Sequence, residues 1–229
     1  MSDRLIVALD VDAADAAQAL VETIGDAASF YKVGMELAYA PGGFALVSAL
    51  KDAGKRVFLD LKLHDIGATV ERAARQIERL GVDFLTIHGF PQTMAAARTG
   101  APQTTLLAVT VMTSYDAADL AAAGYALGVA DLIARRALQA REAKIDGLIL
   151  SPLELADIRA LVGPDMKLVT PGVRPAGADK GDQKRVMTPG EAVRLGADHL
   201  VVGRPITRAV DPRAAARSIT AEIEGAAAG

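Results

Sequence analysis

Short runs of β-branched and leucine residues alternate along the chain with longer Ala-rich stretches whose apolar positions recur at helical spacing. This rhythm predicts repeated β-α units around a parallel sheet. The strand candidates are Leu5 to Asp10, Phe30 to Val33, Arg56 to Leu61, Asp83 to Ile87, Thr105 to Val111, Gly147 to Leu150, Lys167 to Thr170 and His199 to Val202. Eight such runs over 229 residues fit a single-domain (β/α)8 TIM barrel of the α/β class better than an open doubly wound sheet. Helix punctuation agrees: Asp12 is placed to cap the first helix, Pro152 with Glu154 opens another, and Thr188-Pro189 begins the one through Leu195. No linker divides the chain. The segment Pro171 to Met187 lacks periodicity and is rich in Gly, Pro and charge. A loop of this length, at about 171–188, reads as a lid or binding loop, the alternative being a plain surface excursion. Gly225 to Gly229 reads as a frayed end.

Composition narrows the chemistry. Hydrophobic residues are 51% and charged residues 23%, which excludes a disordered chain. Aromatics are 4% with no Trp, so the core is expected to be packed from Ala, Val, Leu and Ile, and a nucleic-acid surface of stacked aromatics has little material. The 25 basic and 28 acidic residues leave a net charge of -3, so an anionic ligand must be met by locally placed cations and bulk charge recruits neither nucleic acid nor membrane. The absence of Cys removes disulfides, thiolate nucleophiles and cysteine metal sites, and suits a reducing cytosol. Leu5 to Leu9 is too short for a signal segment, and no apolar run approaches the roughly 18 residues of a membrane helix, so a cytoplasmic protein is expected.

In a β/α barrel, polar residues at the C-terminal ends of strands are candidates for chemistry. Asp10 closes the first strand, Lys32 lies in the second, Asp60 and Lys62 end the third, and Gly203-Arg204 follow the eighth. Alternation along a strand turns Phe58, Asp60 and Lys62 to one face and Leu59 and Leu61 to the other, toward the helices. A carboxylate and an ammonium side by side in the barrel mouth are either a buried ion pair or working groups. With Asp65 the pattern becomes Asp60-x-Lys62-x-x-Asp65, in which carboxylates flank the lysine. Neighbouring negative charge favours the protonated amine, so Lys62 reads as a general acid for a reaction that places negative charge on carbon. Gly203-Arg204-Pro205, at the turn from strand eight into a helix, reads as a phosphate site, with Arg174 and Gln183 of the long loop able to close on it. Thr110, Thr113 and Ser114 could read a polar heterocycle or serve as turn chemistry. The histidines His64, His88 and His199 lack metal-ligand spacing and read as local hydrogen-bonding groups. Neither Gly-x-Gly-x-x-Gly nor a Walker A pattern is present, so no dinucleotide or ATP site is indicated.

Taken together, LIVALD (5–10), YKVG (31–34), FLDLKLHDI (58–66), TIHG (86–89), VTVMTS (109–114), TPGVRP (170–175), GDQKR (181–185) and VVGRPI (201–206) make the chain resemble the bacterial orotidine 5'-phosphate decarboxylase family nearly end to end. The resemblance implies a (β/α)8 barrel, conversion of orotidine 5'-phosphate to UMP and CO2 without metal or cofactor, and a homodimer with active sites at the subunit interface. It implies that Asp10 and Lys32 hold the ribose hydroxyls, that Asp60 lies beside the departing carboxylate, and that Lys62 protonates C6 of the pyrimidine. Asp65 and Thr69 would reach into the partner's site. Thr113 would meet the pyrimidine, and Arg174, Gln183, Gly203 and Arg204 the phosphate. One departure is visible: where the family often has Pro-Asn after Asp-Ile, this chain has Gly67-Ala68, with the spacing of Asp65 and Thr69 kept. Two other readings stand beside it: a magnesium-dependent sugar-phosphate decarboxylase of the 3-keto-L-gulonate 6-phosphate type, and a non-catalytic nucleotide-phosphate-binding barrel.

Overall fold

In the computed structural model, which describes residues 3–175 and 187–228, the eight apolar runs form eight parallel strands. These are β1 (Leu5–Ala8), β2 (Phe30–Gly34), β3 (Arg56–Leu63), β4 (Phe84–His88), β5 (Thr105–Val109), β6 (Gly147–Ile149), β7 (Lys167–Thr170) and β8 (His199–Val202). Each pairs with its sequence neighbours and β1 pairs with β8, closing the barrel. The helices of the first half are α1 (Ala14–Ile24), α2 (Met35–Tyr39), α3 (Gly43–Asp52), α4 (Gly67–Arg79) and α5 (Pro91–Gly100). Those of the second half are α6 (Ala117–Ala122), α7 (Val129–Glu142), α8 (Leu155–Val162), α9 (Pro189–Arg194), α10 (Arg204–Thr207) and α11 (Pro212–Ala227).

Two apolar layers follow from strand alternation. Inward residues, among them Ile6, Phe30, Phe58, Phe84, Leu107 and Val201, fill the barrel, while Leu59, Leu61 and their counterparts pack outward against the helices. The low aromatic content conceals a concentration: Phe30, Phe58 and Phe84 meet edge to face inside the barrel, with ring centroids 4.9 and 6.0 Å apart. The expectation of a core packed from Ala, Val, Leu and Ile therefore holds for most of both layers, but not for this phenylalanine cluster or for Tyr31, buried in the outer layer, because a composition gives amounts and not positions.

The foot of the barrel carries a repeated latch. Asp83, Asp146 and Asp198 each immediately precede an even-numbered strand. The Oδ2 of each accepts the backbone N–H of the second residue of the preceding odd strand: Val57 at 2.8 Å, Leu106 at 2.7 Å and Leu168 at 2.7 Å. The same oxygen accepts from a cation on a helix, namely Lys51 of α3, Arg98 of α5 and Arg159 of α8. Each aspartate follows a left-handed residue and a buried apolar one: Gly81-Val82, Lys144-Ile145 and Gly196-Ala197.

Helix termini differ from expectation in places. Asp12 caps nothing: α1 starts from Ala13, which makes no side-chain cap, and Asp15 supplies the negative charge of the first turn. Thr188 and Glu191 form a reciprocal capping box on α9, which ends at Arg194. Ser151 accepts from Leu153 N–H and opens a 3-10 turn, Pro152–Glu154, ahead of α8. The tail is not frayed at Gly225, because α11 runs to Ala227 and Ala226 packs on the outer core. The feet of the long loop are tied by a parallel bridge between Val173 and Met187, with Arg174 N–H donating to Met187 O at 3.0 Å. Residues 176–186, including Gln183, lie outside the described residues.

Candidate active site

At the C-terminal end of the barrel, the inward side chains of several strands border one cavity of about 530 Å³. Its floor is apolar, with Phe58, Val109, Ile149 and Val201, and its wall carries charges from three different strands or their exits. Asp10 follows β1, Lys32 projects from β2, and Asp60 and Lys62 come from β3.

These four form a chain of alternating sign. Lys32 Nζ lies 3.0 Å from Asp10 Oδ1 and 3.7 Å from Asp60 Oδ2, and Lys62 Nζ donates to Asp60 Oδ1 at 2.8 Å. Asp60 is the most enclosed carboxylate of the group, its side chain 14% exposed. Burial alone would push its carboxyl up, but Lys32, Lys62 and hydrogen bonds from Lys62 and Thr86 outweigh this and hold it below the ordinary carboxylate range. A fixed anion thus sits beside a lysine amine over an apolar floor.

Asp60 and Lys62 share the cavity, but not through plain alternation. Leu59 is registered with Leu85 and Leu63 with Ile87, so Asp60, Leu61 and Lys62 oppose Thr86 alone in a bulge. Lys62 takes a left-handed backbone with φ +49°, rare for a residue with a Cβ and a local cost of about 1–2 kcal/mol. Thr86, buried on β4, is a polar member of the site that sequence reasoning missed.

The rim is cationic. Arg174 (8% exposed), Arg204 and Arg208 border the cavity with Gly203. A Cβ on Gly203 would stand 3.1 Å from Asp10 Oδ2, so a side chain there would press on the Asp10–Lys32 pair. Arg208, one turn beyond Arg204 on the α10 exit, and Glu36 also border the cavity and were not anticipated; the i, i+4 spacing of the two arginines was the available signal. Thr113 borders it as expected, whereas Thr110 is buried with its hydroxyl on Ile149 O, and Ser114 lies in an exposed turn.

Asp65 and Thr69 do not border this cavity. Asp65 is exposed and accepts from Ile66 N–H at 2.6 Å, and Thr69 sits in the first turn of α4. None of the histidines borders this cavity. His64 stacks on Phe90 at 4.5 Å with Nδ1 3.0 Å from Thr93 Oγ1. His88, lowered by burial and then by the charges of His64, Arg136 and Lys62, shares with it a second cavity of about 290 Å³. His199 stands on the opposite, N-terminal side of the barrel against Phe30 and Phe84. No group of three His, Asp or Glu side chains suited to a metal ion occurs among the described residues.

Known proteins are similar to this one over almost the whole chain. A Bradyrhizobium protein named orotidine 5'-phosphate decarboxylase is 64% identical over 228 residues, covering 99% of this chain and 93% of its own length. A Methylobacterium protein of the same name is 61% identical over 226 residues, covering 96% and 95%. The crystal structure of orotidine 5'-phosphate decarboxylase from Lactobacillus acidophilus superposes with a TM-score of 0.87 at 36% identity, covering 97% of this chain and 99% of that one. With the family model for "Orotidine 5'-phosphate decarboxylase / HUMPS family" matching residues 3–219, the chain belongs to that family.

Proposed function

We propose that the protein decarboxylates orotidine 5'-phosphate to UMP and CO2, using the charged chain Asp10–Lys32–Asp60–Lys62 without metal or cofactor. The observation that carries the reading is the 2.8 Å contact of Lys62 Nζ with an anionic, enclosed Asp60 at the end of an apolar-floored cavity rimmed by arginines. Breaking the C6–carboxylate bond leaves its electron pair on C6, where no ring carbonyl delocalises it directly. Fixed charge must then stabilise that pair. Lys62 supplies the positive charge and passes one Nζ proton to C6; the neutral amine left behind regains a proton from water. Asp60 orients Lys62 and faces the departing carboxylate. Lys32 and Asp10 hold the ribose, Thr113 the pyrimidine, and Arg174, Gln183, Gly203 and Arg204 the phosphate, far enough from C6 for its binding energy to organise the site.

The active unit in this reading is a homodimer in the cytoplasm. Asp65 and Thr69 serve the partner's cavity, in keeping with their position away from their own. The 171–188 loop closes on the phosphate. The test is ultraviolet disappearance of orotidine 5'-phosphate with purified protein, before and after a chelator. Turnover is expected to survive the chelator, and Lys62→Ala is expected to lose about 10³-fold or more of kcat while still binding UMP. Abolition by the chelator would favour the magnesium-dependent sugar-phosphate reading, and UMP binding without turnover the non-catalytic barrel.

A further inference from the structure

The geometry points to Thr86 as the positioning residue of the Asp60–Lys62 pair: its one hydroxyl clamps both the carboxylate of Asp60 and the strained backbone of Lys62. This rests on the reading of Lys62 as the proton donor.

The hydroxyl uses its donor and an acceptor at once. Thr86 Oγ1 donates to Asp60 Oδ1 at 2.8 Å and accepts the Lys62 backbone N–H at 2.9 Å. Because Lys62 Nζ also donates to Asp60 Oδ1, the three residues close a ring: Thr86 hydroxyl to Asp60 carboxylate, Asp60 to Lys62 amine, and Lys62 backbone back to Thr86. No member can move alone without breaking a hydrogen bond in a water-poor place, since Thr86 is 0% exposed.

The ring answers two problems created by the bulge in β3. Three residues oppose one, so regular ladder pairing is interrupted between Leu59 and Leu63. Lys62 N–H is given a side-chain acceptor there instead. The left-handed φ of +49° at Lys62 persists only if the surroundings hold it, and the Thr86 hydroxyl grips the peptide that must be held. At the same time Asp60 Oδ1 is fixed toward Lys62, leaving Oδ2 toward Lys32 at 3.7 Å. Without the hydroxyl the carboxylate can rotate about its χ2 and the Lys62 backbone can relax, and displacements of about 1 Å in a reacting group cost on the order of 100-fold in rate. Arg174, Gly203 and Arg204, assigned to the phosphate, border the cavity at its rim, away from the hydroxyl's two partners.

The experiment compares Thr86→Val, which keeps shape and loses the hydroxyl, with Thr86→Ser, which keeps the hydroxyl and loses a methyl. Steady-state decarboxylation and UMP affinity are measured, with Lys62→Ala run alongside. Thr86→Val is expected to lower kcat by roughly 10- to 100-fold with KM and UMP affinity within about threefold. Thr86→Ser is expected to return kcat to within about threefold of the parent. A parent-like kcat in Thr86→Val, or an equal loss in Thr86→Ser, overturns the assignment. Should Thr86→Val not fold, Thr86→Ala replaces it against Thr86→Ser, and equal kcat in those two overturns it equally. If Lys62→Ala is itself fully active, the proton-donor reading fails instead, which separates the two failures.

Discussion

His199 shows how one residue can set a property of the whole chain. It stands in β8 at the N-terminal side of the barrel, its ring 5.0 Å from Phe84 and 6.0 Å from Phe30. Its Nδ1 has no hydrogen-bond partner among the described residues. Burial first, and then the charge of Arg56, lower its pKa from 6.5 to about 4. The folded protein therefore keeps His199 neutral down to about pH 4, whereas the unfolded chain takes up the proton near pH 6.5. Stability from this residue is complete above pH 6.5 and is lost as the pH falls through 4, by about 3 kcal/mol in total. Urea unfolding at pH 7 and pH 4.5 is expected to show a steeper loss in the parent than in His199→Gln, which does not titrate. Equal losses would remove His199 from the account of acid sensitivity.

At the scale of elements, the three aspartate latches join β3, β5 and β7 each to the even strand after it and to a helix. They lie at the N-terminal face, opposite the cavity, where a barrel invests in stability rather than catalysis. Replacing Asp198 by Ala leaves the Leu168 N–H without its 2.7 Å acceptor and removes the carboxylate from Arg159. Asp198→Ala and Asp146→Ala are each expected to lower unfolding free energy by about 1–3 kcal/mol, with kcat unchanged. A denaturant midpoint with a parallel rate assay reads both, and a fall in kcat without loss of stability would contradict the separation of the two faces. These latches also mark where sequence reading stopped. The strands were legible because apolar runs at regular intervals leave a local pattern, and β7 and β8 match their expected spans. Lys32, Asp60 and Lys62 were legible because charges in apolar strands stand out. The latch had a signal, a left-handed residue, an apolar residue and an aspartate before a strand, but Lys144 in place of Gly in one copy blurs it. Thr86 had none, since a threonine inside Phe84–His88 is ordinary strand composition. Only the register of β4 against the bulge in β3 brings it to Asp60 and Lys62.

For the whole molecule, the near balance of 25 basic and 28 acidic residues hides a sorting by position, with Lys32, Lys62, Arg174, Arg204 and Arg208 all bordering one cavity. Asp65 is left on the outside of that arrangement, beside Ile66, which is 69% exposed. If Asp65 completes the partner's cavity, one active site needs Lys62 from one chain and Asp65 from the other. Lys62→Ala and Asp65→Ala homodimers would both be inactive. In a mixed dimer, however, one cavity carries both lesions and the other carries neither. Random reassociation of equal amounts makes about half the dimers mixed, so about a quarter of parental activity should return. If Asp65 acted within its own chain, every cavity of a mixed dimer would hold one lesion and nothing would return. Differently tagged chains, partly unfolded and refolded together, allow the mixed species to be isolated before assay. An inactive mixed dimer would place Asp65 in its own chain's site, whereas activity recovered from two inactive parents, with a parental KM, would assign it across the interface.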